Sequence, residues 1–175
     1  LSGKIELTEG QAIIPALNLP LKKIRLLVQA KPEKIQYSLQ ARSQNTPLKI
    51  SGNINLAQKN TPASLTAKAD NFLIANTPQY HITASCNIKA TLKNKHLHLQ
   101  GTLKIPSALL KPTSWLTTHS LSDDAEIINT TPQEEGWTLS QDLQLSLGDN
   151  VKLSAQGLHA KLVGSVHLQK STTQP

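Results

Sequence analysis

His81-Ile82-Thr83-Ala84-Ser85-Cys86-Asn87-Ile88-Lys89-Ala90-Thr91-Leu92-Lys93 alternates polar and apolar residues without a break. In an extended chain successive side chains point to opposite faces, so this run makes one aliphatic face and one wet face. The same rhythm recurs upstream. Ile35, Tyr37, Leu39 and Ala41 alternate with Gln36, Ser38, Gln40 and Arg42, and Leu48, Ile50, Ile54 and Leu56 alternate with Lys49, Ser51, Asn53 and Asn55. No stretch shows the 3.6-residue period of a helix. The expected fold is therefore all-β, and the functional question is what covers the aliphatic side.

Composition narrows the choices. At 175 residues the chain reads as a single domain, 1–175, able to bury a core. Its apolar residues are almost all Leu, Ile, Val and Ala, with one Phe, two Trp, two Tyr and no Met. Such a surface is smoother and closer to hydrocarbon than an aromatic one. The lack of any Met, including an initiator, reads as a segment of a longer protein. No apolar run approaches the roughly 20 residues that span a bilayer. The formal charge of +7 favours solubility or attraction to anionic surfaces. The basic residues are scattered along the sequence and few aromatics accompany them, which argues against a nucleic-acid partner. The single cysteine, Cys86, excludes an internal disulfide, and its place between Ala84 and Ile88 on the apolar parity reads as a buried, inert side chain.

Strands are expected over 3–7, 12–14, 23–30, 35–42, 48–56, 64–70, 72–75, 80–92, 96–105, 125–128, 138–147, 151–155 and 158–169. Turn signals lie between them: Lys31-Pro32-Glu33-Lys34, Asn45-Thr46-Pro47, Asn60-Thr61-Pro62, Asn76-Thr77-Pro78, Lys93-Asn94-Lys95 and Gly148-Asp149-Asn150. The apolar parity switches after Ala69 and again at Gln156-Gly157, so a bulge or tight turn is expected at each. Residues 117–136 are polar and read as an inserted loop.

Gly3-Lys4-Ile5-Glu6-Leu7 is echoed by Gly52-Asn53-Ile54-Asn55-Leu56, Gly101-Thr102-Leu103-Lys104-Ile105 and Gly164-Ser165-Val166-His167-Leu168. Recurrence of this kind suggests a repeating β architecture rather than a closed sandwich. Strands joined by short loops pair antiparallel about 4.8 Å apart, so about a dozen would form a ribbon some 50–60 Å long. With every aliphatic face on one side, that elongated, curled, mostly antiparallel sheet becomes a concave half-pipe with an aliphatic interior.

Several stretches, in order, resemble a known family. Leu147-Gly148-Asp149-Asn150-Val151-Lys152-Leu153 followed by Gly157-Leu158-His159-Ala160-Lys161-Leu162-Val163-Gly164 is similar to the LGD-x-V-x-L … GL-x-A-x-L-x-G segment of the TamB proteins of Gram-negative bacteria. Ala69-Asp70-Asn71-Phe72, leading to Asn76-Thr77-Pro78, resembles their ADNF…NTP segment. Gly101 to Ala108, with Ile105-Pro106, resembles their G-x-L-x-I-P-x-A strand, and Ser122 to Ile128 their S-x-D-V-x-I strand. The resemblance implies a β-taco fold and a periplasmic protein anchored in the inner membrane. It implies an outer-membrane barrel partner, TamA, and membership of the AsmA-like bridge proteins that pass phospholipid toward the outer membrane. On this resemblance the anchor helix and the family's final strands are expected outside this stretch, and TamA is expected to be met through the full-length protein.

No catalytic constellation is visible. Asp123 and Asp124 are adjacent and read as loop residues, and Asp149 reads as a turn residue. His96 and His98 share a strand face, as do His159 and His167, but a metal site needs three or four convergent ligands, so neither a metal nor another cofactor is expected. The aliphatic face is the candidate site. Its members are Ile35, Tyr37 and Leu39; Ile50 and Ile54; Leu65; Ile82 and Ile88; Leu97, Leu99 and Leu103; Leu143 and Leu145; Val151 and Leu153; Leu162; and Val166. On the residues alone such a face fits an ordinary core or a ligand trough; the resemblance points to a trough for phospholipid acyl chains. Two alternatives stay open: a scaffold or chaperone for unfolded outer-membrane protein clients, and a closed sandwich or barrel with a site unrelated to lipid.

Overall fold

The computed structural model describes residues 2–112 and 137–171. The strand expected at 125–128, the Asp123–Asp124 pair and the insertion expected at 117–136 fall outside them. Ten strands are formed: β1 (Gly3–Ile14), β2 (Leu19–Lys31), β3 (Lys34–Ser43), β4 (Thr46–Asn55), β5 (Ala63–Asn76), β6 (Tyr80–Lys93), β7 (His96–Leu110), β8 (Thr138–Ala155), β9 (Leu158–Lys161) and β10 (Gly164–Lys170). Among the described residues there is no α-helix, only a 3-10 turn at Pro15–Leu17. One sheet contains them all, in the order β1-β2-β3-β4-β5-β6-β7-β8-β10, with β9 alongside the far part of β8. At about 4.8 Å per step the nine abreast extend roughly 40 Å.

Most neighbours are hairpins. Lys31 pairs with Lys34 across Pro32-Glu33, and Lys93 pairs with His96 across Asn94-Lys95. Both residues of the second turn have positive φ (52° and 59°), the twist that suits a two-residue hairpin. At the β3–β4 turn Ser43 pairs with Thr46, so the reversal is Gln44-Asn45 and not Asn45-Thr46-Pro47.

The parity switch after Ala69 is a register shift between Ala69 and Phe72, with Asn71 at φ 48°. The one at Gln156-Gly157 is the tight turn between β8 and β9, where Ala155 pairs with Leu158. Bulges also merge strands that read as separate. The expected strands 3–7 and 12–14 are one β1, and 64–70 and 72–75 are one β5. Gly148-Asp149-Asn150 does not reverse the chain. It lies inside β8, where Ile105 pairs with Leu147 but Ser107 pairs with Asn150. The one extra residue bulges beside Pro106, whose Cα and carbonyl oxygen would lie 2.8 Å from any Cβ at Gly148. The bulge also explains why 158–169 is two strands. β9 follows β8 beyond it, β10 follows β8 before it, and Leu162-Val163 bridges the irregularity.

One pairing departs from the antiparallel pattern. β7 and β8 run parallel, His96 beside Thr138 through to Leu110 beside Leu153. The glycine echoes lie on β1, β4, β7 and β10, every third strand. Successive copies run in opposite directions, so they build one continuous sheet rather than a translational stack.

The sheet is curled and open. Apart from neighbouring strands, the main approaches are those of β2, β3 and the 3-10 turn to β5. There Leu19, Ala41, Phe72, Leu73 and Ala75 are buried, and Ala84, Ala108 and Val151 continue this small core toward β8. Asn18 ties the 3-10 turn to β5 through Nδ2 to the Asn76 carbonyl, 2.8 Å. Elsewhere the aliphatic side chains are shielded laterally, by neighbours about 5 Å away on the same face. Edge strands confirm this, because they have such neighbours on one side only: Ile5 is 65% exposed on β1 and Val166 51% on β10.

Gly52 shows how tightly this lateral packing is set. Tyr37 lies across it and donates its phenol O–H to the Ser64 carbonyl at 3.1 Å. A Cβ at Gly52 would collide with that carbonyl and with the Tyr37 ring, whereas a Cβ at Gly3 meets nothing. Gly52→Ala is expected to destabilise the sheet by at least about 2 kcal/mol and Gly3→Ala by less than about 0.5 kcal/mol, read from urea unfolding midpoints.

Candidate functional site: an aliphatic trough

Strand register converts the alternation into rows that run across the sheet. One row is Ile5, Val28, Tyr37, Gly52, Leu65, Ala90 and Leu99. Another is Leu7, Leu26, Leu39, Ile50, Ala67, Ile88, Gly101, Leu143 and Leu168. A third joins Ala30, Ile35, Ile54, Ala63, Leu92, Leu97 and Leu139. A fourth joins Ala41, Leu48, Ala69, Cys86, Leu103, Leu145 and Val166. Nearer the buried core, Ala75, Ile82, Ala108 and Val151 line up, with Leu110 beside Leu153.

All seventeen side chains singled out from the sequence take places in or beside these rows. Val151 is buried and Val166 is exposed, while the other fifteen are half-buried. Leu162 sits outside the strands and hydrogen-bonds its backbone N–H to the Val151 carbonyl. The reading from sequence left out Leu26 and Val28 on β2 and Ile5 and Leu7 on β1, which extend the same rows. Their signal was present in the parity of Ile24, Leu26, Val28 and Ala30, but Leu27 on the opposite face obscured it. Cys86 is half-buried rather than buried, because no second layer among the described residues covers its face.

The opposite face is polar, and its residues form local hydrogen-bond networks. His96 bridges Thr138 and Ser140 through its two ring nitrogens, each at 2.8 Å, and Ser140 also contacts His98 Nδ1 at 2.8 Å. His167 has an acidic partner on β8: Asp142, which pairs across from Gln169, lies 2.5 Å away. His159 instead contacts Ser154. Among the described residues no three His, Cys, Asp or Glu side chains converge on one point. Two shallow depressions of about 370 and 510 Å³ on this face are lined mainly by Gln, Ser, Thr, Asn and Lys. They lie between long polar side chains, and the His167–Asp142 pair lines the second.

Four of the basic residues, scattered in sequence, come together in space. Lys23, Arg25, Arg42 and Lys49 line one concavity of about 290 Å³ on the polar face. The sequence reading missed this cluster because three strands and a bulge are needed to assemble it.

Among the described residues the sheet is a single-layer β half-pipe whose aliphatic face no second layer covers, a groove-forming module. The family model of the TamB C-terminal domain matches residues 36–175. The chain belongs to the TamB family, a transport and assembly module of the bacterial envelope. The match starts within β3, yet β1 and β2 join the same sheet without interruption. No curated protein and no solved structure gave a match. Among the described residues no helix is long and apolar enough to cross a membrane.

The absence of a roof has a measurable consequence. Leu99→Ala, on the half-buried face, is expected to cost only about 1 kcal/mol, because water already reaches the site and no closed cavity forms. Leu73→Ala, at 2% exposure, is expected to cost about 3–5 kcal/mol. Equal costs in urea unfolding would mean that the face is covered.

Proposed function

We propose that this chain is a segment of a trough that conducts phospholipid between the inner and outer membranes. In this reading it belongs to an inner-membrane-anchored, periplasm-spanning protein that works with the outer-membrane barrel TamA and performs no catalysis. The observation that supports this most is the row that runs from Leu7 on β1 to Leu168 on β10 without a polar or charged side chain, flanked by shorter aliphatic rows across most of the same strands.

The energetics suit a conduit. Each buried CH₂ is worth about 0.8 kcal/mol, so a sixteen-carbon chain gains roughly 12 kcal/mol on leaving water. Two such chains make unaided escape into water very slow, and a continuous apolar path lowers that barrier. Leu, Ile, Val and Ala offer no polar anchor, so an acyl chain meets similar environments at successive depths and can slide. The headgroup stays in water at the rim.

A second reading is favoured by a different observation. The outer edges of β1 and β10 pair with no other strand among the described residues. An extended outer-membrane protein client could add to such an edge through its backbone. Both readings use the same sheet, one its face and the other its margin.

The purified chain is expected to carry phospholipid, detected by solvent extraction and thin-layer chromatography. Leu99→Asp and Leu145→Arg should abolish that lipid and block transfer while leaving the β circular-dichroism signal intact. Cys86 supplies a readout without further mutation: bimane attached there should be quenched by phospholipid bearing a nitroxide on its acyl chain. A lipid-free wild-type protein whose Cys86 probe is unquenched would overturn the trough. Photocrosslinks of client to β1 or β10 backbone positions, with none on the aliphatic face, would favour the scaffold.

A further inference from the structure

Lys22 and Arg25 are three residues apart and would face opposite ways on a regular strand. Here they do not. Lys22 pairs with Arg42 and Arg25 with Gln40, so one extra residue is accommodated on β2. Lys23 absorbs it at φ 50°, a left-handed conformation that an L side chain adopts only at a cost. The bulge turns Lys22 and Arg25 to the same face as Arg42. Lys49 lies opposite Gln40 on that face, and Lys68 opposite Lys49. Lys23, Arg25, Arg42 and Lys49 then line the 290 Å³ concavity together with Gln40, Ala41 and Pro47.

No ion pair involves any of these four cations among the described residues. Asp70, the acid on neighbouring β5, is instead hydrogen-bonded to Ser85 and Asn71. Glu9, in the β1 bulge across from Arg25, forms no ion pair with it, so four like charges gathered by a strained backbone and paired with no carboxylate leave a demand for an external anion. Two guanidinium groups offer the planar, paired donors that match phosphate oxygens. No aromatic side chain lines the concavity, so nothing there would stack on a base.

We propose that this concavity is a binding site for a phosphate ester group, on the face of the sheet opposite the trough. It stands apart from the acyl-chain reading, since its ligand is recognised by charge and its test needs no acyl chain.

Binding is measured on the whole chain by titration calorimetry with inorganic phosphate and with glycerol phosphate, and by flotation with vesicles of phosphatidylcholine alone or mixed with phosphatidylglycerol. Arg25→Gln/Arg42→Gln should weaken binding at least tenfold. Lys31→Gln/Lys34→Gln, which removes the same charge at the opposite end of the β2–β3 pair, should change it less than twofold. Saturable binding of the soluble phosphates would identify a free phosphate compound as the ligand. Binding confined to phosphatidylglycerol vesicles, with the same variant dependence, would identify a lipid headgroup. Lys23→Gly supplies a second arm: it should raise the unfolding midpoint by relieving the left-handed backbone, yet weaken binding several-fold. Equal losses in the two double variants with every probe, or no binding above phosphatidylcholine and chloride controls, would overturn the site.

Discussion

Lateral contact between aliphatic side chains on one face of a single sheet is the interaction on which the rest depends. A two-layer protein hides its apolar face against a second layer. Here Leu, Ile and Val are shielded by their neighbours in each row, and by a small core where β2, β3 and the 3-10 turn approach β5. Register is therefore under strong constraint. A slip of one residue between any two strands would turn a whole set of aliphatic chains into the polar face. Bulges at Ala69–Phe72 on β5 and Gly148–Asn150 on β8 are tolerated because the rows resume beyond them, as in the line of Ala75, Ile82, Ala108 and Val151.

Much of this was legible in the residues. Period-two alternation is a local signal, and it identified the sheet, its aliphatic face and most strand positions. The shift after Ala69 and the turn at Gln156-Gly157 were readable because each moves the apolar parity by one. Gly148-Asp149-Asn150 misled because Gly, Asp and Asn serve a turn and a bulge alike. What separates them is the partner strand, where Pro106 leaves room only for glycine. The parallel pairing of β7 with β8 was not legible either, since nothing local records which distant strand lies alongside. The cationic concavity joins β2, β3 and β4, and its assembly depends on an extra residue at Lys23 that carries no compositional mark.

The two faces divide the chemistry. The inner face is nearly featureless along its rows and suits something that must move. The outer face carries localised polar arrangements: the His96–Ser140–His98 chain, the His167–Asp142 pair and the basic concavity. A sheet one layer thick places the two environments back to back, separated only by its backbone. Membership of the TamB family sets this in the cell envelope, where a protein meets hydrocarbon and charged surfaces at once.

The parallel β7–β8 pair also shapes how the sheet can assemble. Most other pairs are hairpins that can close soon after the second strand emerges, and β8 meets β10 around the short β9. His96 and Thr138, by contrast, are 42 residues apart. Loop-closure entropy makes that the late and slower association, and contact order rises at this one seam. The molecule is thus kinetically divided into a locally zippering run, β1 to β7, and a terminal unit, β8 to β10, that must find its berth beside it.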